Sequence, residues 1–430
     1  MLAREARPNI LMVICHDLGR HLGCYGAGVQ TPNLDRLAAE GLRFTHNFCT
    51  TPLCSPSRGS IQTGRYPHRT GLMGLVNRGW TLPAGEPTLA ERLRSAGYRS
   101  WLFGLQHERR ERTAMGYDTV VGEGPAHADA VLPHLEAFLR EPPDGPFLAV
   151  VGLTETHRPF RNARYTPDDP ATVRVPGYLP DRPEVRQEIA ELQGLVKKVD
   201  TFVGQTLAAL EAGGRGHNTL VVFTADHGIA FPRAKSTLYD SGIGTALLVR
   251  WPGTCAAGRT SEALISNVDL LPTLVEAAGL AAPAGIDGRS FLDLLRGGPD
   301  RGRDAIFAEK NYHDAYDPMR AVRTDRFKLI RRWGDGPDLV LPKDIAPSPS
   351  AATPEIAAAT ARPRRQVELY DLAHDPWECR DLAGDASLVE ERTALEARLQ
   401  RWMEETGDPL LRGPVAAPAG SVDARETEGR

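Results

Sequence analysis

The chain is poor in cysteine, in net charge and in long apolar runs. It has six cysteines in 430 residues: Cys15, Cys24, Cys49, Cys54, Cys255 and Cys379. That is too few for a disulfide-stapled scaffold, and a chain of this length buries its own core. The net charge is −4, which argues against a nucleic-acid binder, since such proteins carry a basic excess. No stretch approaches the ~18 apolar residues of a membrane span. The start, Met1 to Arg7, carries both charge signs, and the apolar run Ile10–Cys15 is shorter than a signal-peptide core. The expectation is a cytoplasmic protein with ordinary thiols, no membrane partner and no nucleic acid.

The composition is that of a folded protein, 41% hydrophobic and 25% charged. The length suffices for about two or three domains. The 42 glycines and 34 prolines predict many turns.

Short apolar runs alternate with helical stripes in the first part of the chain. Ile10–Cys15, Trp101–Phe103, Phe147–Leu153, Thr219–Phe223 and Ala246–Val249 have strand length. Leu34, Leu37 and Ala38 have helical spacing, as do Leu89, Leu93 and Ala96, and so does the segment Leu195 to Leu210. Val268–Ala278 is a further helix with Pro272 in its first turn. Strands without polar alternation are buried on both faces. Interleaved with helices, they predict an α/β fold with a mostly parallel sheet. We expect a catalytic domain over 1–300 and a smaller C-terminal α+β subdomain with an antiparallel sheet and a terminal helix (Leu388–Met403) over 301–412. A loose tail follows over 413–430. Leu341–Arg365, rich in Ala, Pro and Ser, has the composition of a loop or partly disordered insertion.

In parallel sheets ligands bind at the carboxyl ends of strands. Four strand exits here deliver histidine: His16-Asp17, Gln106-His107, Thr156-His157 and Asp226-His227. Any one of them alone suits a cap or a surface. Four together predict a site.

The sharpest local motif is Cys54-Ser55-Pro56-Ser57-Arg58, followed by Thr63-Gly64-Arg65-Tyr66-Pro67-His68. Around it lie Pro8-Asn9-Ile10-Leu11, Asp17, Thr31-Pro32-Asn33-Leu34-Asp35, Gly41-Leu42-Arg43-Phe44, Thr224-Ala225-Asp226-His227-Gly228, Lys235, Val268-Asp269-Leu270-Leu271-Pro272-Thr273 and Glu368-Leu369-Tyr370-Asp371. In this order the set resembles the sulfatase family over nearly the whole chain. His313-Asp314, Tyr316 to Arg320 and Trp402 to Pro409 are most similar to its sulfamidase (heparan N-sulfatase) branch.

The resemblance implies an alkaline-phosphatase-like fold and hydrolysis of a sulfate ester or sulfamate, including that of a sulfated amino sugar. It implies that a formylglycine-generating enzyme oxidises Cys54 to formylglycine. The hydrated aldehyde is a geminal diol. One hydroxyl attacks sulfur, and the other then loses its proton to expel sulfate. The implied metal ligands are Asp17, Cys54, Asp226 and His227, with His16 beside them. Arg58 would hold the diol, His107 would act as base in sulfate release, and Lys235 would bind sulfate oxygens. His157 would protonate the leaving group with Lys235. His313, Asp314 and Arg320 are the expected substrate contacts.

Two departures from the family pattern stand out. His16 replaces an acid, which gives the site more nitrogen than calcium prefers. Calcium is the family's usual ion, whereas imidazole suits Mn2+ or Zn2+. Leu105 stands where the family has a lysine; Lys235, Arg233 and Arg109 are the cations that would compensate. Glu108–Arg112 has the composition of a solvated charge cluster. Two alternatives keep the fold: a phosphodiesterase or phosphonate monoester hydrolase, and a non-catalytic binder of sulfated glycans. The sequence leaves the oligomeric state open.

Overall fold

The computed structural model describes residues 7–122, 126–162 and 164–421. Its centre is an eight-stranded sheet. In chain order the strands are β1 (Asn9–Cys15), β2 (Leu42–Phe44), β3 (Arg99–Gly104), β4 (Thr119–Val121), β5 (Phe147–Leu153), β6 (Thr219–Ala225), β7 (Leu247–Arg250) and β8 (Arg259–Ser261). Their spatial order is β4-β3-β5-β1-β6-β7-β2-β8. All pairings are parallel except those of β7 with β6 and with β2.

The strands are apolar on both faces because both faces are covered. Leu11 and Val13 of β1 point into one core with α1 (Pro32–Glu40), α4 (Ala128–Arg140) and α5 (Pro183–Ala212). Ile10, Met12 and Ile14 point into the other, with α2 (Cys54–Thr63), α3 (Leu89–Arg94) and α6 (Leu270–Ala277). The two-residue period of a strand makes this division. Pro272 lies in the first turn of α6, where a missing N–H costs no helix bond.

A second, antiparallel sheet follows, in the order β9 (Ile306–Tyr312), β10 (Tyr316–Arg323), β11 (Phe327–Arg332) and β12 (Val367–Asp371). The terminal helix α8 (Val389–Thr406) packs Leu395, Leu399, Trp402 and Met403 against Val322, Leu329 and Leu369 of this sheet.

Three expectations need correction. Segment 341–365 is ordered. Ile345 and Ala351 are buried in the core shared with α5, and the segment carries a helix, α7 (Pro354–Ala361). Its few apolar residues lack a period, so composition alone suggests a loop. The start of the expected loose tail is tied down at one residue: Val415 is buried, its N–H donates to Tyr316 Oη, and its carbonyl accepts from Tyr312 Oη, while most of its neighbours up to residue 421 are exposed. Residues 422–430 lie outside the described ones. Finally, Glu108 and Arg109 are buried rather than solvated. Arg109 is spent on the carbonyls of Pro83, Glu86 and Ala114.

Among the described residues no helix is long and apolar enough to cross a membrane.

Candidate active site

Strands β3, β5, β1 and β6 are parallel neighbours, so their four exits open on one edge of the sheet. The histidines of those exits meet there. The His16 ring lies 4.7 Å from that of His157, 6.0 Å from that of His227 and 6.2 Å from that of His107.

Helix α2 starts at Cys54 and brings it to the same point. Leu53, the residue before it, is extended and offers no side-chain cap, so the first-turn N–H groups of Cys54 and Ser55 have no side-chain acceptor from that residue. A helix N-terminus favours negative charge. Ser57 Oγ holds the helix in place by donating to the Asp226 carbonyl (2.5 Å), and Asn267 Nδ2 donates to Ser57 Oγ (3.0 Å).

Cys54 Sγ is 3.2 Å from His227 Nε2, 3.9 Å from His16 Nδ1 and 3.9 Å from Asp17 Oδ1. His16 Nδ1 is 2.6 Å from Asp17 Oδ1. His227 Nε2 is 3.1 Å from Asp17 Oδ1. Asp226 accepts at Oδ1 from the main-chain N–H groups of Asp17 and His227, both at 2.9 Å. Arg58 Nε donates to Asp226 Oδ2 at 2.9 Å. Two backbone features set this geometry. Asp17 has φ +46°, a conformation that costs a non-glycine residue energy and clusters at functional sites. A Cβ on Gly228 would collide with the Ser241 carbonyl oxygen, so the turn after His227 needs glycine.

His16, whose position departs from the family pattern, thus points into the site. One ligand-type atom from each of His16, Asp17, Cys54, Asp226 and His227 lies within 4.8 Å of all the others, and all five residues are buried. Two carboxylates, two imidazoles and a sulfur converging this closely out of water are chemically suited to a divalent cation.

The electrostatics fit the same reading. Burial alone would raise the Cys54 thiol, but His16, Lys235 and His227 outweigh it and hold it well below its ordinary value. Burial likewise opposes the charge on Asp17, and Lys235, His16 and His227 prevail, so its carboxyl sits well below the usual range. Lys235 is 98% buried, yet Asp17, Cys54 and Asp344 keep it protonated far above the ordinary lysine value.

Lys235 Nζ donates to Asp17 Oδ2 (2.8 Å) and to Asp344 Oδ2 (2.7 Å). It sits between Arg233 (φ +60°) and Ser236 (φ +69°), a strained stretch of backbone. His157 Nδ1 is committed to the Arg158 carbonyl (2.5 Å), which leaves Nε2 for the site, 3.9 Å from Asp344 Oδ2. His107 donates its main-chain N–H to the buried Glu108 carboxylate (2.6 Å). Burial raises the Glu108 carboxyl, with Arg58 acting against it.

Of the cations expected to compensate for Leu105, only Lys235 reaches the cluster. Arg233 lies over the Tyr239 ring and donates to the Glu378 carbonyl.

The expected substrate contacts fare differently. Arg320 is fully buried and is a structural residue. It donates from Nε and Nη2 to Asp408 (2.5 and 2.8 Å), from Nη1 to the Lys310 and Met319 carbonyls, and from Nη2 to Asn311 Oδ1. The segments ending at Arg320 and around Asp408 therefore belong together because their side chains form one ion pair. His313 and Asp314 are tied to each other (2.9 Å), and Asp314 also accepts from Arg78 Nη2 (2.7 Å) and the Lys343 N–H (2.8 Å). Neither joins the Cys54 cluster, but Lys343 precedes Asp344.

Asp344 and Glu108 were not singled out by sequence reasoning. Asp344 lies in the Ala/Pro-rich segment, where nothing local marks it. Glu108 follows His107 directly, and that adjacency was the available signal.

The match to known families decides the assignment. The Sulfatase family matches residues 8–280. The chain belongs to the sulfatase family. A second match, N-sulphoglucosamine sulphohydrolase C-terminal, spans residues 227–343. The chain is 29% identical to human N-sulphoglucosamine sulphohydrolase, over 98% of this chain and 94% of that protein. It is 32% identical to human arylsulfatase A over 89% and 85% of the two chains, and 28% identical to an ulvan-active sulfatase of Formosa agariphila over 94% and 76%.

Solved structures share the fold. A protein in complex with its substrate D-glucosamine-2-N,6-O-disulfate has TM-score 0.75 at 21% identity, covering 95% of this chain and 99% of that one. The phosphonate monoester hydrolase of Agrobacterium radiobacter has TM-score 0.73 at 22% identity, covering 96% and 100%. The expected alkaline-phosphatase-like architecture is thus present, and the protein is a sulfuric ester hydrolase by family. That family implies a divalent metal and a formylglycine made from cysteine.

Proposed function

We propose that this sulfatase hydrolyses the sulfate ester or sulfamate of an amino sugar, with Cys54 converted to formylglycine. The observation that carries the proposal is the convergence on Cys54, at the start of α2, of His227, His16 and Asp17 within 3.9 Å. Arg58 and Lys235 back the two carboxylates. Similarity to N-sulphoglucosamine sulphohydrolase along nearly the whole chain supports the amino-sugar substrate. So does the sulfated glucosamine bound to a protein of the same fold.

Asp17, His16, Asp226 and His227, with position 54, are the residues that would hold the cation. Two imidazoles in that set favour Mn2+ or Zn2+ over Ca2+. When bound, the cation supplies positive charge against an anionic sulfur centre. The modification supplies a geminal diol, with one hydroxyl to attack and a second whose ionisation releases sulfate; a thiol supplies neither.

The chain's own residues then have distinct tasks. Arg58 fixes Asp226 and keeps a positive charge beneath position 54. Lys235 binds sulfate oxygens, standing in for the cation missing at Leu105. His157 passes a proton from Nε2 to the leaving oxygen or nitrogen. His107 takes the proton from position 54 as sulfate departs. Fixed charges aimed at a developing anion are the larger part of such catalysis.

The test is turnover of a sulfated glucosamine, a glucosamine sulfamate, 4-nitrophenyl sulfate and a phosphonate monoester by protein made beside a formylglycine-generating enzyme. The proposal expects preference for a sulfated sugar. Preference for the phosphonate would replace it with the phosphonate hydrolase reading.

A further inference from the structure

Asp344 is an acid inside a site built for an anion. Its Oδ2 lies 2.7 Å from Lys235 Nζ and 3.9 Å from His157 Nε2. Lys235 is the group proposed to hold sulfate oxygens, and His157 the group proposed to serve the leaving atom. Asp344 therefore stands where the sulfate meets its leaving group.

It is held there from both sides. Ile345 is fully buried beside it. The Lys343 N–H donates to Asp314 Oδ2 (2.8 Å). The Ser350 N–H donates to Glu188 Oε2 (2.9 Å), whose other oxygen pairs with Arg158 (2.5 Å), the neighbour of His157. The Asp344 side chain keeps one fifth of its surface open.

That surface opens on a cavity of about 580 Å3. Its charged lining is Arg158 and Arg161 against Glu184, Glu188, Glu191 and Asp344. Such a volume takes a sugar unit. An acidic balance suits a ligand rich in N–H and O–H donors rather than one that brings its own carboxylates.

With sulfate on Lys235, the Asp344 carboxylate faces a second anion unless a donor lies between them. Like charges at such range repel strongly in a partly buried site. Resting on the sulfatase reading, we propose that Asp344 is a specificity residue. It accepts a hydrogen bond from an amine or hydroxyl beside the scissile S–O or S–N bond, so it selects hydroxyl- and amine-bearing sugar sulfates and disfavours sulfates whose leaving group has no donor.

The experiment compares the parent with Asp344→Asn and Asp344→Ala on glucosamine 6-sulfate and on 4-nitrophenyl sulfate. Inorganic sulfate binding is measured by calorimetry in parallel. Loss of a charge-assisted hydrogen bond predicts a KM for the sugar raised about tenfold to a hundredfold. KM for the aryl ester falls and inorganic sulfate binds more tightly. The isosteric Asn variant carries the comparison if the Ala variant does not fold. If both substrates weaken by the same factor, or neither moves, the role of Asp344 is refuted while the sulfatase reading stands. If the parent, made beside a formylglycine-generating enzyme and carrying the aldehyde at position 54, turns over neither sulfate, the proposed amino-sugar substrate is refuted instead.

Discussion

Arg58 and Asp226 form an ion pair sealed from solvent, Nε to Oδ2 2.9 Å, with both side chains at most 1% exposed. The pair joins the helix that starts at Cys54 to the strand end that supplies His227. Removing Arg58 leaves Asp226 buried and partly uncompensated. Arg58→Ala is expected to cost about 3–5 kcal/mol of stability, read by denaturant unfolding, and to abolish turnover in the fraction still folded. Arg58→Lys keeps the charge but not the guanidinium geometry, and should recover stability before it recovers activity.

Stripping the cation is the second prediction. A chelator should lower the melting temperature and remove activity together. Restoring an ion at a hundred times its Kd stabilises by about 2.7 kcal/mol. With both imidazoles present, Mn2+ or Zn2+ should restore more than Ca2+. In His16→Asp the order should reverse, because an oxygen then replaces the Nδ1 that lies 2.6 Å from Asp17.

Arg320 provides a contrast between fold and site. Arg320→Ala breaks the buried pair with Asp408 and should cost about 3–5 kcal/mol. KM measured on the folded fraction should stay at the parent value. A raised KM at unchanged stability would restore Arg320 as a substrate contact.

His21 predicts a pH effect away from the site. Burial pushes its imidazole down from 6.5 to about 4. The unfolded chain therefore binds the proton first, and stability is full above pH 6.5 and lost as pH falls towards 4. The contribution is roughly 3 kcal/mol. His21→Phe should flatten that part of the stability–pH curve, measured as the difference from the parent by chemical unfolding.

Much of the site was legible because strand exits announce it. His16, His107, His157 and His227 follow apolar runs that the parallel sheet sets side by side. Cys54, Arg58 and Lys235 lie in motifs with fixed neighbours. What escaped was what depends on contacts distant in sequence. Asp344 reaches Lys235 across 109 residues, anchored by Ile345 in a segment whose composition suggests a loop. Arg320 looked functional because it is a charged residue in a family motif. Its partner, Asp408, is 88 residues away, and no local pattern reveals that pairing. Glu108 looked solvated within a charged run, although the fold turns it inward.

The proposed chemistry requires that Cys54 cease to be a cysteine. The most direct measurement is mass spectrometry of the peptide containing Cys54, from protein made with and without a formylglycine-generating enzyme, alongside turnover of a sulfated glucosamine. Sulfate release should rise in proportion to the aldehyde fraction at position 54 and vanish where the thiol remains. Equal turnover by the unmodified thiol form, or no sulfate release by fully converted protein, would contradict the proposed chemistry.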